Sequence, residues 1–161
     1  APIVYSVYLS CVLSFCGQSG GKGVDTMVTN KAEYLILTLV DLARNARDRY
    51  VLSREVAERQ GIPAKYMPQL MAMLTRAGWV TSARGSGGGV RLAADPKDIT
   101  VKDVIELSGD PILIRTCVGT KPGCARSTTC PLHPVWARAQ EFLDASLRET
   151  SIADLAAKER S

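Results

Sequence analysis

Residues 53–93, SREVAERQGIPAKYMPQLMAMLTRAGWVTSARGSGGGVRLA, limit the possible folds more than any other stretch. Ser53 is placed to cap a helix over REVAERQ. Gly61 ends that helix, and Ile62 and Pro63 form a short turn. AKYMPQLMAMLTRAG then sets Met67, Leu70, Met71 and Leu74 at helical spacing ahead of Gly78. Two helices joined by a short glycine-containing turn form the helix-turn-helix pattern. Two β-prone runs follow, Trp79–Ala83 and Val90–Ala93, on either side of the tip RGSGGG. That hairpin predicts a winged helix, hence a mainly α fold with a small β wing. A glycine-rich tip can also cradle a nucleotide phosphate, but here no strand–loop–helix context or P-loop lysine accompanies it.

Charge follows the same boundary. The chain's net charge is +4, and between Arg44 and Arg91 nine Lys or Arg stand against three Asp or Glu, while the flanking segments are each slightly acidic. A positive block confined to a helix-turn-helix is the distribution expected of a part that meets a polyanion.

Upstream, TNKAEYLILTLVDLARNA opens with Asn30 as a cap and Glu33 as its capping-box partner, then runs apolar on nearly every face from Tyr34 to Ala43, so a buried helix is expected. Residues 1–26 differ from the remainder: PIVYSVYLSCVLSFC is apolar but short for a bilayer span, and GQSGGKG reads as a linker. They read as an N-terminal extension outside the fold. The expected divisions are a winged helix-turn-helix over 27–94 and a connecting segment over 95–116, with a helix from about Thr100. A cysteine-rich loop over 117–133 and a long amphipathic helix with its tail over 134–161 complete them. That last helix carries Val135, Ala139, Phe142, Leu143 and either Ser146 or Leu147 on one stripe. An apolar stripe outside a compact DNA-binding unit calls for a partner. A second copy is the economical one, because a two-fold dimer matches a palindromic operator; the alternative is that the helix folds back on its own domain.

The loop holds the chemistry. Cys117, Cys124, Cys130 and the single histidine, His133, lie among turn formers, and five cysteines in two clusters do not make a disulfide framework. Six, five and two residues separate successive members of the set. Structural zinc sites favour tight CxxC knuckles, whereas wider gaps suit a centre larger than one ion. Spacing alone leaves zinc, an iron–sulfur cluster and metal-free thiols open. Arg115, Lys121 and Arg126 nearby favour thiolates. An enzyme is not expected: there is no CxxC redox pair and no general-base constellation around the histidine.

Taken in order, NKAEYLILTLVDLA, EVAERQGIPAKYMPQLMAMLTRAGWV, RGSGGGVRLA, DITVKDVIEL, the Cys–Cys–Cys–His loop and SIADLA resemble the iron–sulfur cluster regulator family of bacterial winged-helix transcription factors (the IscR, NsrR and RsrR group). The similarity runs from Met27 to Leu155. It implies a cytoplasmic, homodimeric regulator that binds double-stranded DNA at a palindromic operator and is not inserted in a membrane. Operator affinity would follow the state of a cluster that senses redox change, nitric oxide or iron–sulfur status. Cys117, Cys124 and Cys130 match the cluster cysteines. The fourth ligand has two candidates, His133, which is favoured, and Glu33 from the opposing subunit. Three thiolates and one nitrogen favour [2Fe–2S] over [4Fe–4S], and Leu37 stands where one subgroup has a further histidine ligand. For DNA, the resemblance implies Lys65, Tyr66 and Gln69 on the reading face and Arg84 in a neighbouring minor groove; Arg76, Ser86, Gly87, Gly88 and Arg91 complete the candidate surface. Pro68 departs from the family pattern and predicts a late or distorted helix start. A zinc-stabilised winged-helix protein without a sensing cluster is the alternative reading.

Overall fold

A helix starts most favourably where the preceding residue is extended and its side chain offers an acceptor to the first free N–H groups. In the computed structural model, which describes residues 27–46, 48–85, 87–119 and 128–158, Thr29 meets that condition. It is extended, and its Oγ1 accepts from the Ala32 N–H at 3.3 Å, opening α1 (Asn30–Asn45). Asn30 is already helical, so the expected Asn30–Glu33 capping box does not form. The Glu33 carboxylate is exposed and makes no hydrogen bond or ion pair among the described residues.

The buried side chains of α1 include Leu35, Leu39 and Leu42, and the other elements pack around them. α2 (Ser53–Gln60) begins one residue earlier in its cap than expected: Leu52, extended and without a side-chain cap bond, precedes it, and Ser53 is its first residue. The cause is tertiary. Val51 is fastened to Val90 by two backbone hydrogen bonds (3.0 and 2.8 Å), which leaves Leu52 alone to make the turn into the helix. Gly61 closes α2 in the left-handed conformation at φ 66°. A 3-10 turn over Ala64–Tyr66 leads into α3 (Met67–Arg76), with Pro68 in the first helical turn, where the missing N–H costs nothing. The late start expected from Pro68 is therefore what the chain adopts.

The wing is an antiparallel pair, β1 (Val80–Ala83) and β2 (Gly89–Leu92), in register Val80 to Leu92 and Ala83 to Gly89. The Val51 bridge adds a third chain to its edge, and a Cβ at Gly89 would collide with the Val51 carbonyl. α4 (Val101–Ser108) opens with a capping box between Thr100 and Asp103. After the cysteine loop come α5 (His133–Glu149) and α6 (Ile152–Ala157), the latter opened by a Ser151–Asp154 capping box. The starts of α4 and α6 meet: the Val101 N–H donates to the Thr150 carbonyl and the Ile152 N–H to the Ile99 carbonyl, both at 2.9 Å. Arg44 fixes the far end of α6 by donating to the carbonyls of Ala156 (2.8 Å), Leu155 (3.1 Å) and Lys158. The end of the chain thus returns to α1 as a separate helix.

On α5 the apolar stripe divides. Leu143 and Leu147 pack against a small core of Ala32, Ile105 and Ile112, whereas Val135 and Phe142 are 56% and 70% exposed. No described helix is long and apolar enough to cross a membrane.

Candidate nucleic-acid interface and metal centre

The second helix of the helix-turn-helix carries its polar side chains outward. Lys65 and Tyr66 stand on the 3-10 turn, Gln69 on the first turn of α3 and Arg76 on its last, and all four are exposed. Tyr66 is also seated. Its ring lies 5.5 Å from that of Tyr34 on α1, tilted by 46°, and Lys65 Nζ sits 5.1 Å from its centroid. Tyr34, Tyr66 and Gln69 line a groove with the start of α1. The reading helix is therefore steadied against α1 by an aromatic contact.

On the wing, Arg84 is exposed beyond β1 and Gly87 is exposed at the tip, while Ser86 lies outside the described residues. Gly88 has no room for a Cβ, which would meet the Ala83 carbonyl. Arg91 differs from the others. It is half-buried, its guanidinium lies 5.2 Å from the Tyr50 ring, and its Nε is buried without a hydrogen-bond partner. Ser53, expected only as a helix cap, and Arg54, given no role by the sequence, line a hollow between the start of α2 and the wing with Leu52, Gly89 and Val90. No local signal marks Arg54, because the Val51–Val90 bridge is what brings the two elements together.

Orientation of the helix-turn-helix on α1 is set by a buried carboxylate. Asp41, 1% exposed, accepts from Arg59 Nε (2.9 Å) and Nη2 (2.6 Å), from Gln60 Nε2 (2.9 Å) and from Asn45 Nδ2 (3.3 Å). The hydrogen bond to Asp41 holds the Arg59 guanidinium above its ordinary pKa.

Of the four candidate ligands on the loop, Cys117 and His133 are brought together. Cys117 sits in a 3-10 turn, Thr116–Val118, and the His133 ring nitrogen Nε2 lies 3.2 Å from the Cys117 carbonyl oxygen. A carbonyl only accepts, so Nε2 donates here, and in the neutral ring Nδ1 is then the nitrogen that carries the lone pair. The His133 backbone N–H donates to the Cys130 carbonyl at 3.1 Å, which ties the Cys130 backbone to the start of α5. Cys117 and Cys130 are half-buried free thiols, and Cys124 lies outside the described residues. Among the described residues, no three His, Cys, Asp or Glu side chains form a metal-ligating group, and Glu33 on α1 is not joined to the pair. What the described part provides is backbone carbonyls of Cys117 and Cys130 hydrogen-bonded to His133, with one imidazole nitrogen engaged as it usually is in a ligating histidine.

The chain leading to Cys117 is held from two sides. Asp110 accepts from Lys31 Nζ (2.9 Å) and Thr29 Oγ1 (3.4 Å) at the start of α1, and the Lys31 hydrogen bond holds its carboxyl below the usual range. On α5, Gln140 grips Ile112 and Ile114, and Asp144 accepts from Gln140. Burial by itself would raise the Asp144 pKa, but hydrogen bonds from Lys102 and Gln140 outweigh it and the carboxyl lies low.

Comparison with known proteins agrees with the winged-helix fold. Residues 28–158 match the family model described as "Rrf2: Iron-dependent Transcriptional regulator". The chain is 37% identical over 121 residues to the HTH-type transcriptional regulator IscR of Aliivibrio salmonicida (strain LFI1238), spanning 73% of this chain and 71% of the relative. It is 34% identical over 131 residues to the putative HTH-type transcriptional regulator ORF2 of Azotobacter vinelandii, spanning 81% and 79%. Among solved structures, T. potens IscR superposes with a TM-score of 0.63 at 28% identity, covering 83% of this chain and 93% of that one. CymR, the global cysteine regulator of B. subtilis, superposes at 0.68 with 24% identity over 83% and 98%, a likeness of fold alone.

Proposed function

The chain belongs to the Rrf2 family of transcriptional regulators, and on that premise we propose that it binds operator DNA with an affinity set by an iron–sulfur cluster on its cysteine loop. The observation that carries this reading is the hydrogen bonding around His133: its Nε2–H is spent on the Cys117 carbonyl and its backbone N–H on the Cys130 carbonyl, which leaves Nδ1 for a ligand. This donor set fits a thiolate-and-nitrogen centre. Cys117, Cys124 and Cys130 would hold the cluster with His133 as the fourth ligand, and three thiolates plus one nitrogen favour [2Fe–2S]. Glu33 of a second copy is the competing fourth ligand, and the absence of a capping role leaves its carboxylate available. When bound, the cluster supplies a centre that responds to oxidants and nitric oxide.

The protein's own residues do the rest. Lys65, Tyr66, Gln69 and Arg76 face the major groove, where Gln reads adenine edges and the cations meet phosphate. Arg84, with Ser86, Gly87 and Gly88 at the tip, enters a neighbouring minor groove, and Arg91 stiffens the wing through Tyr50. Two copies meet along α5 through Val135 and Phe142, exposed on a groove they share with Arg138 and Ala139, which pairs the reading heads on a palindromic operator. Ordering the loop at the base of α5 biases the separation of the heads. A coupling of about 1–3 kcal/mol changes affinity several-fold to a hundred-fold. The cysteines stay reduced in a cytoplasmic setting.

The test is oxygen-free purification with iron and acid-labile sulfide analysis, absorption and Mössbauer spectra, then operator binding by holo and apo protein at one salt concentration. Equal affinities refute the sensor. Colourless, zinc-containing protein replaces it with a zinc-stabilised regulator.

A further inference from the structure

α5 carries one side chain that the proposed function does not use and that its surroundings do not require. Gln140 is 7% exposed. An apolar residue would fill this space without the cost of drying an amide, yet every polar group of Gln140 is satisfied. Its Nε2 donates to the Ile112 carbonyl and to Asp144 Oδ1, each at 3.0 Å, and its Oε1 accepts from the Ile114 N–H at 3.0 Å. Donating to one residue's carbonyl and accepting from the N–H two residues on is what a neighbouring β-strand does, here done by one side chain. Asp144 sets which way round the amide lies, because a carboxylate takes only the NH2 end. Asp144 is in turn held by Lys102 Nζ at 2.6 Å from α4.

His133 lies seven residues before Gln140, two helical turns, so both fall on one face of α5. Together they grip the lead-in segment at three backbone points: Ile112, Ile114 and the Cys117 carbonyl. Ile112 is also anchored by burial beside Ile105, and Gly119 turns in against Leu113.

We propose that Gln140 is a positioning residue for the cysteine loop, a side-chain clamp that presents the Cys117 thiol beside His133 before any metal arrives. The inference rests on the function proposed above, and it makes claims about the metal-free protein that stand or fall separately. With Gln140→Leu, shape is roughly kept and all three hydrogen bonds go. With Gln140→Glu, the acceptor to Ile114 stays but the donor to Ile112 is lost at neutral pH. The control is Leu147→Ala, which loosens the packing of α5 on the Ala32, Ile105 and Ile112 core while removing none of the clamp's hydrogen bonds.

In oxygen-free apo protein, the expected result for Gln140→Leu is hydrogen exchange of the Ile114 amide accelerated by about tenfold or more. Alkylation of Cys117, resolved by peptide mass spectrometry, should change several-fold while that of Cys130 in the same molecule does not. Gln140→Glu should fall between, and Leu147→Ala should leave the Cys117-to-Cys130 ratio at its wild-type value. In reconstituted protein, cluster loss to a chelator should be faster by about ten- to a hundred-fold for Gln140→Leu, the range found when a partner that orients a ligand is removed, and unchanged for Leu147→Ala. Wild-type Ile114 exchange in Gln140→Leu overturns the clamp, and so does an equal effect on both thiols. Equal cluster loss in Gln140→Leu and Leu147→Ala also overturns it, because general destabilisation would then account for the result. If wild-type protein takes up no cluster, the functional reading fails while the apo exchange and alkylation still decide the clamp.

Discussion

Replacing Asp41 with alanine tests whether a buried carboxylate, rather than apolar packing alone, locks the helix-turn-helix onto α1. Asp41 is 1% exposed and accepts four hydrogen bonds, two of them from the charged Arg59. A hydrogen bond to a charged group contributes about 1.5–3 kcal/mol net, and the contributions of one cluster do not add. The Arg59 side chain is 37% exposed, so after truncation its guanidinium reaches water, and the heavier penalty of a stranded buried cation does not apply. Gln60 and Asn45 are half-buried and recover part of their bonding from solvent. What remains is about two charged hydrogen bonds and a small void, or about 2–4 kcal/mol, against a total of about 5–15 kcal/mol for a domain. Asp41→Asn keeps an acceptor toward Arg59 and should lose about half as much. Urea unfolding of apo protein is the assay: the midpoint should fall with the slope unchanged. A double-mutant cycle with Arg59→Ala should recover a coupling of about 1 kcal/mol or more. An Asp41→Ala midpoint within about 0.5 kcal/mol of wild type, or a coupling near zero, refutes the lock.

Lys65→Ala and Arg84→Ala should each weaken operator binding and reduce the salt slope by about one, as expected on losing one phosphate contact; unchanged slopes for both would move the DNA face elsewhere. Phe142→Asp should abolish self-association in sedimentation velocity while leaving thermal stability close to wild type, because the ring is 70% exposed in the single chain; an unaltered dimer would show that α5 is not the seam. The Asp144, Asp110 and Asp154 carboxyls are all held low in the folded chain, so folding is stabilised above the unfolded carboxylate value of about 3.9 and that stabilisation is lost as pH falls through the folded values. Asp144→Asn should accordingly flatten the acid limb of a stability–pH curve, and an acid limb of wild-type steepness would exclude Asp144 as a contributor.

The order of elements and the stock of donors are legible from local residue patterns alone. Helical spacing in AKYMPQLMAMLTRAG, stops at Gly61 and Gly78, and the tip RGSGGG define a winged helix because each signal acts over a few residues of chain. Even the displaced start at Pro68 is local, since the missing N–H decides it. Tertiary structure decided what depends on a distant partner. Thr29 caps α1 where Asn30 was expected, and its hydroxyl also reaches Asp110 across the fold. Leu52 precedes α2 in place of Ser53 because Val51 is tied to the wing. α6 docks on α1 because Arg44 collects its terminal carbonyls. Asp41 and Gln140 look like ordinary polar helix residues in the sequence. They are buried because their partners, Arg59 on α2 and the backbone of Ile112 and Ile114, lie 18 to 28 residues away along the chain. A polar side chain can enter the interior only where its hydrogen bonds are met there, and no pattern within one helix reports where those bonds will be found.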